Sequence, residues 1–427
     1  FKQKTAYEIS TRDWSSDVCS SDLGRDRIKI LTDTDGDGKV DRVKVFAEGL
    51  NIPSGIAVGH GGVWVANAPD ILFLEDTDGD DVADRTTVVV TGFGRFDTHE
   101  LPNALTWGPD GYLYGLNGVF NPCKVIQDGK EFNFTCAMFR IHPKTKKFEI
   151  FCEGTSNPWG IAFDSVGSSF VSACVIDHLW HLTESGYYLR QGGPYPPHTW
   201  WAESIVKHKH QMAAYCGIEY FDSDAFPEAY RNKLYMGNIH GGCINVDRIE
   251  RHGATYRGFG EPDFLTANDV WFMPVAQKVG PDGCLYVLDW YDRYHCYQDA
   301  SADPKGVDRG HGRLYRIVHD KRPSPRYRDI SKLEEGELVQ ALADPNIYVR
   351  QRAQLELAER AALGANTLAK LEQQVTKGGE LRTQMHSMWA LAGAGALRGG
   401  FLVELLKHPE AEIRAWGVRI EIGRAHV

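Results

Sequence analysis

The chain has 427 residues, nine cysteines and a formal net charge of -10. An acidic balance with no basic cluster in the first three quarters excludes nucleic acid as the partner. No run reaches the roughly 18 apolar residues of a membrane span, so membrane association would come only through parts outside this sequence, and the cysteines lack the CxxC or CxxCH spacing of a zinc site or attached haem.

Both ends are set aside first. The codons for Asp17–Asp22 (DVCSSD), read as their reverse complement, translate as Ile422–Val427 (IGRAHV), so one DNA sequence sits at both ends in opposite orientation. Residues 1–23 and 421–427 are therefore read as translated sequencing-adapter DNA. The remainder is too long for one ordinary core and divides into a β domain over 24–319, a linker over 320–332 and helical repeats over 333–420.

In chain order, Arg27–Ile30 and Val43–Phe46 read as the last two strands of a blade whose beginning is lacking. Between them stand Asp33, Asp35, Asp37 and Asp41, and 43 residues later the same spacing returns as Asp76, Asp78, Asp80 and Asp84. Carboxylates at positions 1, 3, 5 and 9 are the oxygen-rich spacing of a calcium loop. Lys44 and Thr87 stand where such a loop carries a bidentate Glu, so the expected affinity is that of an extracellular module, roughly 10⁻⁴–10⁻³ M. An Asx-stabilised turn between strands is the competing reading.

From Pro53 to Asp84, three apolar runs (Gly55–Val58, Val63–Ala66, Ile71–Leu74) alternate with Gly, Asn, Pro and Asp, which predicts strand, turn, strand, turn, strand. So small a sheet cannot bury both of its faces, and its cadence returns at Asn103–Gly115, Gly160–Val171, Gly217–Met236 and Val275–Val287. That is the pattern of a β-propeller. Cys123 and Cys136 flank a hairpin-like stretch turning at Asp128-Gly129, which leaves open a disulfide or two buried thiols.

In a propeller the start of each innermost strand and the end of its neighbour meet on one face. The polar residues at those places are Asn67; His99 and Asn103; Asn157, Asp177 and His178; Asn238 and His240; then Asp289, Asp292 and Arg293. Several His and Asp converging on a concave face make the default site. If the chemistry is oxidation of a hydroxyl, a base near neutral pKa must take its proton. His99, His178 and His240 are the ordered candidates, with Asp289 or Asp177 as orienting carboxylate and Asn67, Asn103, Asn157, Asn238, Asp292 and Arg293 for binding.

Beyond Val318 the basic, proline-containing stretch DKRPSPRYRDISK leads into Ala, Leu, Glu and Gln at helical spacing. Arg350, Arg382 and Arg414 recur every 32 residues. The first and third follow D-P-N-x-x-V and H-P-E-x-x-I, the helix-pair pattern of HEAT-like repeats, expected here to act as a spacer or docking surface.

The stretches His99–Tyr114 (H-x-x-x-N-x-L-x-W-G-P-D-G-x-L-Y), Asn157–Asp164 (NPWGIAFD) and Ala173–His181 (ACVIDHLWH), with the twin DTDGD loops, resemble a family of membrane-bound dehydrogenases. Those proteins are similar to soluble pyrroloquinoline-quinone (PQQ) glucose and sorbosone dehydrogenases. The resemblance implies an all-β six-bladed propeller followed by an all-α HEAT-like solenoid, and often by a haem c domain with a CxxCH motif, here missing. It implies a periplasmic or extracellular sugar or alcohol dehydrogenase with Ca²⁺ and PQQ that passes electrons to that cytochrome, and His99 as general base. The family's arginine before N-P-x-G is replaced here by Ser156. The rival reading is a non-catalytic, calcium-stabilised propeller that binds a glycan or protein.

Overall fold

The computed structural model describes residues 24–35, 39–192, 200–211, 214–294, 302–306, 308, 310–320 and 329–425. Residues 1–23 and 426–427 of the segments read as adapter-derived lie outside these, as do Asp37 and residues 321–328 of the expected linker.

The apolar runs become strands where their punctuation predicts. β3 (Gly55–Gly59), β4 (Gly62–Asn67), β5 (Asp70–Glu75) and β6 (Arg85–Thr91) form one four-stranded antiparallel sheet. Its middle strands are buried on both faces. Val63, Val65, Leu72 and Leu74 pack with Ile28, Ile30 and Phe46 of the two-stranded sheet β1 (Asp26–Thr32) and β2 (Arg42–Leu50). Trp64, Ala66, Ile71 and Phe73 face the other way, against Leu105, Leu113 and Phe139 of the next sheet. Strand side chains alternate between faces, so one run of consecutive apolar residues feeds two separate cores.

Four further blades repeat the plan. They are β7 (Asn103–Trp107), β8 (Leu113–Asn117), β11 (Ala137–Ile141) and β12 (Phe148–Glu153); β13 (Asn157–Phe163), β14 (Ser169–Cys174) and β15 (Leu179–Leu182); β16 (Tyr215–Phe221), β17 (Lys233–Asn238), β18 (Cys243–His252) and β19 (Thr255–Thr266); and β20 (Pro274–Val279), β21 (Leu285–Asp289) and β22 (Arg313–Ile317). The described residues thus form a β-propeller of five blades, with β1–β2 packed beside the first. First strands are neighbours in the order β3, β7, β13, β16, β20. At the β13–β16 approach, Gly160 (φ +142°) lies so close to Gly217 that a Cβ on it would stand 2.7 Å from the Gly217 carbonyl carbon. Only glycine fits this crossing.

The hairpin β9 (Cys123–Gln127) and β10 (Lys130–Phe134) turns at Asp128-Gly129, both with positive φ. The disulfide is not formed; Cys123 and Cys136 are buried free thiols. Phe134, not Cys136, stands opposite Cys123, and the Cys136 thiol donates instead to the Gly154 carbonyl at 2.7 Å.

Six helices follow: α1 (Glu335–Ala341), α2 (Ile347–Glu359), α3 (Ala365–Thr376), α4 (Leu381–Gly393), α5 (Gly399–Leu405) and α6 (Ala411–Ala425). The last runs unbroken through Glu421, where the adapter-derived stretch is expected to start. The 32-residue arginine repeat has a physical basis. Arg350 Nη1 donates to the Asp344 carbonyl at 2.7 Å and Arg414 Nη1 to the His408 carbonyl at 2.6 Å, each six residues upstream.

The helices do not stand off as a spacer. They dock on the turn between first and second strands of every blade. Glu359 accepts from His60 N (2.7 Å), Gln354 donates to Pro109 O (3.0 Å), Trp416 donates to Val166 O (2.8 Å), and Asn346 donates to Gly280 O (3.2 Å) and Pro281 O (3.1 Å). On the remaining turn, between β16 and β17, Asp222 O accepts from Ile347 N at 2.9 Å while its carboxylate pairs with Arg350. A shared apolar core of Leu338, Leu357, Leu371, Met388, Trp389, Leu405 and Trp416 holds the helices to one another.

Candidate functional site

With the helices on the turn face, the opposite face is the rim where first strands begin and second strands end. The register places Asn103 near Leu116, Asn157 opposite Cys174, Tyr215 opposite Asn238 and Pro274 opposite Asp289. Every residue chosen from the sequence for catalysis or binding falls on this rim or in the connections leaving it.

His99 lies in a single 3₁₀ turn just before β7, with 47% of its side chain exposed. Asp97 caps that turn: its Oδ1 accepts from His99 N at 2.9 Å and meets His99 Nδ1 at 3.1 Å. Buried Asn121 clamps the loop, accepting from Asp97 N and donating to Asp97 O, both at 2.8 Å. The hydrogen bond from His99 holds the Asp97 carboxyl below its ordinary range. Next in the chain, Glu100 is 3% exposed and accepts from Phe120 N, and burial pushes its carboxyl up to about 7.

The expected orienting carboxylates are occupied elsewhere. Asp289 accepts from Met273 N and Tyr291 N and pairs with Arg313 Nε at 2.5 Å, which ties β21 to β22. Asp177 accepts from Ser204 Oγ at 2.5 Å. The carboxylate that does meet His99 is Asp97; it stands two residues away in F-D-T-H, the one signal that marks it. Of the expected binding residues, Asn67 accepts from Asn51 N, Asn238 bridges Gln211 O and Asn245, and Asp292 accepts from Tyr294 N. Arg293 lies over the Tyr294 ring, and His240 is half-buried in the turn after β17. Among the described residues, the buried amide oxygens of Asn103, Asn117 and Asn157 meet no hydrogen-bond donor.

His178 belongs to a different group. It is 2% exposed, and its Nε2 lies 2.7 Å from Asp247 Oδ2 while His208 and His210 Nε2 lie 2.8 and 3.3 Å from Asp247 Oδ1. Burial alone would raise the Asp247 carboxyl, but hydrogen bonds from His178 and His210 outweigh it and hold it well below the usual range. The sequence signal is the H-x-H at His208–His210, which sits in a connection without strand pattern.

The Asp-rich loops are built alike. Asp41 Oδ2 accepts from Thr34 N and Oγ1 at 3.0 and 2.5 Å, and Asp84 Oδ2 from Thr77 N and Oγ1 at 3.1 and 2.8 Å. Asp33, Asp35 and Asp41 bring their oxygens within 4.8 Å of one another, as do Asp76, Asp78 and Asp84. Asp80 stands apart from its set, its Oδ1 accepting from Val82 N and its Oδ2 lying 3.9 Å from Lys44 Nζ.

A quinone tricarboxylate needs cations, and the position where the resemblance expects one does not supply it. Ser156, where the resemblance expects arginine, is buried and donates to Gln191 Oε1 at 2.8 Å. The guanidinium in the adjoining segment, Arg190, is itself buried and donates to Thr135 Oγ1.

A family model described as a domain of unknown function (DUF7133) matches residues 6–321. Among solved structures, an oxidoreductase of glucose dehydrogenase type from Thermus thermophilus is similar at 18% identity, over 70% of this chain and 92% of that one, with a TM-score of 0.49. The PQQ-bound aldose sugar dehydrogenase from Streptomyces coelicolor is similar at 17% identity, over 66% and 86%, with a TM-score of 0.46. Regucalcin, a calcium-binding protein from Agrobacterium tumefaciens, is similar at 12% identity, over 67% and 83%, with a TM-score of 0.36. These overlaps assign no activity. No curated protein matches the chain, and no described helix is long and apolar enough to cross a membrane.

Proposed function

The chain belongs to the DUF7133 family, whose description names no activity, and we propose one from the face that its helices leave open: recognition of a sugar or alcohol hydroxyl on the rim, with His99 taking its proton. The observation that carries this reading is the Asp97–His99 pair at 3.1 Å on a half-exposed imidazole. With Nδ1–H held by Asp97, Nε2 is the basic atom, which suits general-base catalysis. Oxidation of the carbinol also releases a hydride, which a two-electron cofactor from outside this chain must accept; the resemblance points to a haem c domain that would then take the electrons from that cofactor one at a time, in an extracytoplasmic setting. Within the same reading β1–β2 is the remnant of a sixth blade, the helices are HEAT-like, and the Asp loops hold Ca²⁺.

The test is turnover of a panel of sugars and alcohols by the whole chain against an artificial electron acceptor, with and without PQQ. His99→Ala should lower kcat by about 10²–10⁴-fold. Turnover unchanged in that variant, or absent from the parent with every substrate, overturns the reading. The second reading, a propeller that binds a glycan without oxidising it, is favoured by buried Ser156 and by Trp200, which is 93% exposed; saccharide binding without turnover would select it.

A further inference from the structure

We propose that His178, His208, His210 and Asp247 form a binding site for one divalent first-row transition-metal ion, held between two blades. His178 directly precedes β15, Asp247 lies within β18 of the next blade, and His208 and His210 come from the connection between them. In extended chain, residues i and i+2 point the same way, so H-x-H delivers two imidazoles to one side. All three Nε2 atoms aim at one fully buried carboxylate, and the four donor atoms lie within 4.8 Å of one another. That spread suits an ion with bonds of about 2.0–2.2 Å to nitrogen and oxygen.

A second observation, on a different residue, points the same way. Gly260 stands opposite Asp247 in the β18–β19 register. A Cβ there would lie 2.9 Å from His208 Cδ2 and 3.4 Å from His210 Cε1. The strand therefore omits a side chain where the imidazoles need room.

Without an ion, the arrangement is poorly balanced. Two imidazoles share Oδ1, and the three rings stand with centroids 5.0 to 5.1 Å apart. An ion at the focus takes three neutral nitrogens and one carboxylate instead. This N₃O set favours Zn²⁺, Fe²⁺ or Co²⁺ over Ca²⁺ and Mg²⁺, which prefer all-oxygen shells. His208, with 29% of its side chain exposed, gives the ion a way in, while the Tyr215 ring backs His178 at a centroid distance of 4.9 Å.

The whole chain, stripped by chelator, is titrated with Co²⁺ and then Zn²⁺. One equivalent of Co²⁺ should develop visible d–d bands, Zn²⁺ should abolish them, and His208→Ala should weaken binding by about 100-fold or more. The Asp35→Ala/Asp78→Ala double variant, altered only in the oxygen-rich loops, should bind as the parent does. Absence of bands, or equal affinity in His208→Ala, overturns the site. If that variant fails to fold, the parent decides: bound Zn²⁺ should raise its Tm, and an unmoved Tm counts against the proposal. None of these readouts depends on rim activity.

Discussion

Arg350 and Asp222, 128 positions apart, form an ion pair buried at the junction of α2 and a blade turn. Arg382 approaches the other oxygen of the same carboxylate at 3.8 Å, and the Asp222 carbonyl receives the first amide of α2. Removing Arg350 leaves the buried carboxylate with only the more distant, partly exposed Arg382. Arg350→Ala should therefore cost about 3–5 kcal/mol in urea unfolding; a loss under about 1 kcal/mol would show that the junction tolerates the lone carboxylate.

Glu100 predicts a pH dependence. Its folded-state pKa, about 7, lies above the ordinary 4.5, so its contribution is complete below the unfolded value and lost as pH rises through the folded one. Between about pH 4.5 and 7 the parent should lose up to about 3 kcal/mol relative to Glu100→Gln, which keeps an acceptor for Phe120 N but cannot ionise. Parallel stability curves for the two proteins would refute the shift.

The Asp loops predict a calcium dependence. With Ca²⁺ at about ten times Kd each loop that binds should add about 1.4 kcal/mol to the native state, seen as a Tm that falls on adding chelator. Asp35→Ala should remove most of that difference. Superimposable melting curves with and without chelator would leave the loops as Asx turns.

His99 predicts a separation of activity from stability. Its side chain is half-exposed, so His99→Ala should shift unfolding by no more than about 0.5 kcal/mol. A larger loss would make it a structural residue of the β7 entry.

Much of the fold is legible in the sequence because a blade repeats its punctuation. The apolar runs at Val63–Ala66 and Ile71–Leu74 are stopped by Gly, Asn and Asp, and each run needs only a neighbour of its own kind. The arginine repeat is equally legible, since Arg350 and Arg414 answer a purely local demand, the carbonyl six residues upstream. Contacts between distant segments leave no such mark. Nothing local in Asp222 or His60 identifies it as a helix-docking turn, so sequence pattern alone leaves the helices as a spacer or a docking surface, with no sign of what they dock on. Asp247 sits in the charged run DRIERH, which reads as an exposed edge, yet in the folded chain it is fully buried under three imidazoles. The orienting carboxylate is hidden for the opposite reason: Asp97 is near in sequence, whereas propeller geometry directs attention to partners such as Asp177 and Asp289 on other blades.

The contact of one helical layer with the turns of five blades has a thermodynamic consequence. A ring of blades held only by nearest-neighbour packing can open at any seam, one blade at a time. Here the seams share a common strap, so opening one requires stripping the helices from several turns at once. Partial unfolding is thereby penalised, and propeller and helices should melt in a single calorimetric transition as one cooperative unit.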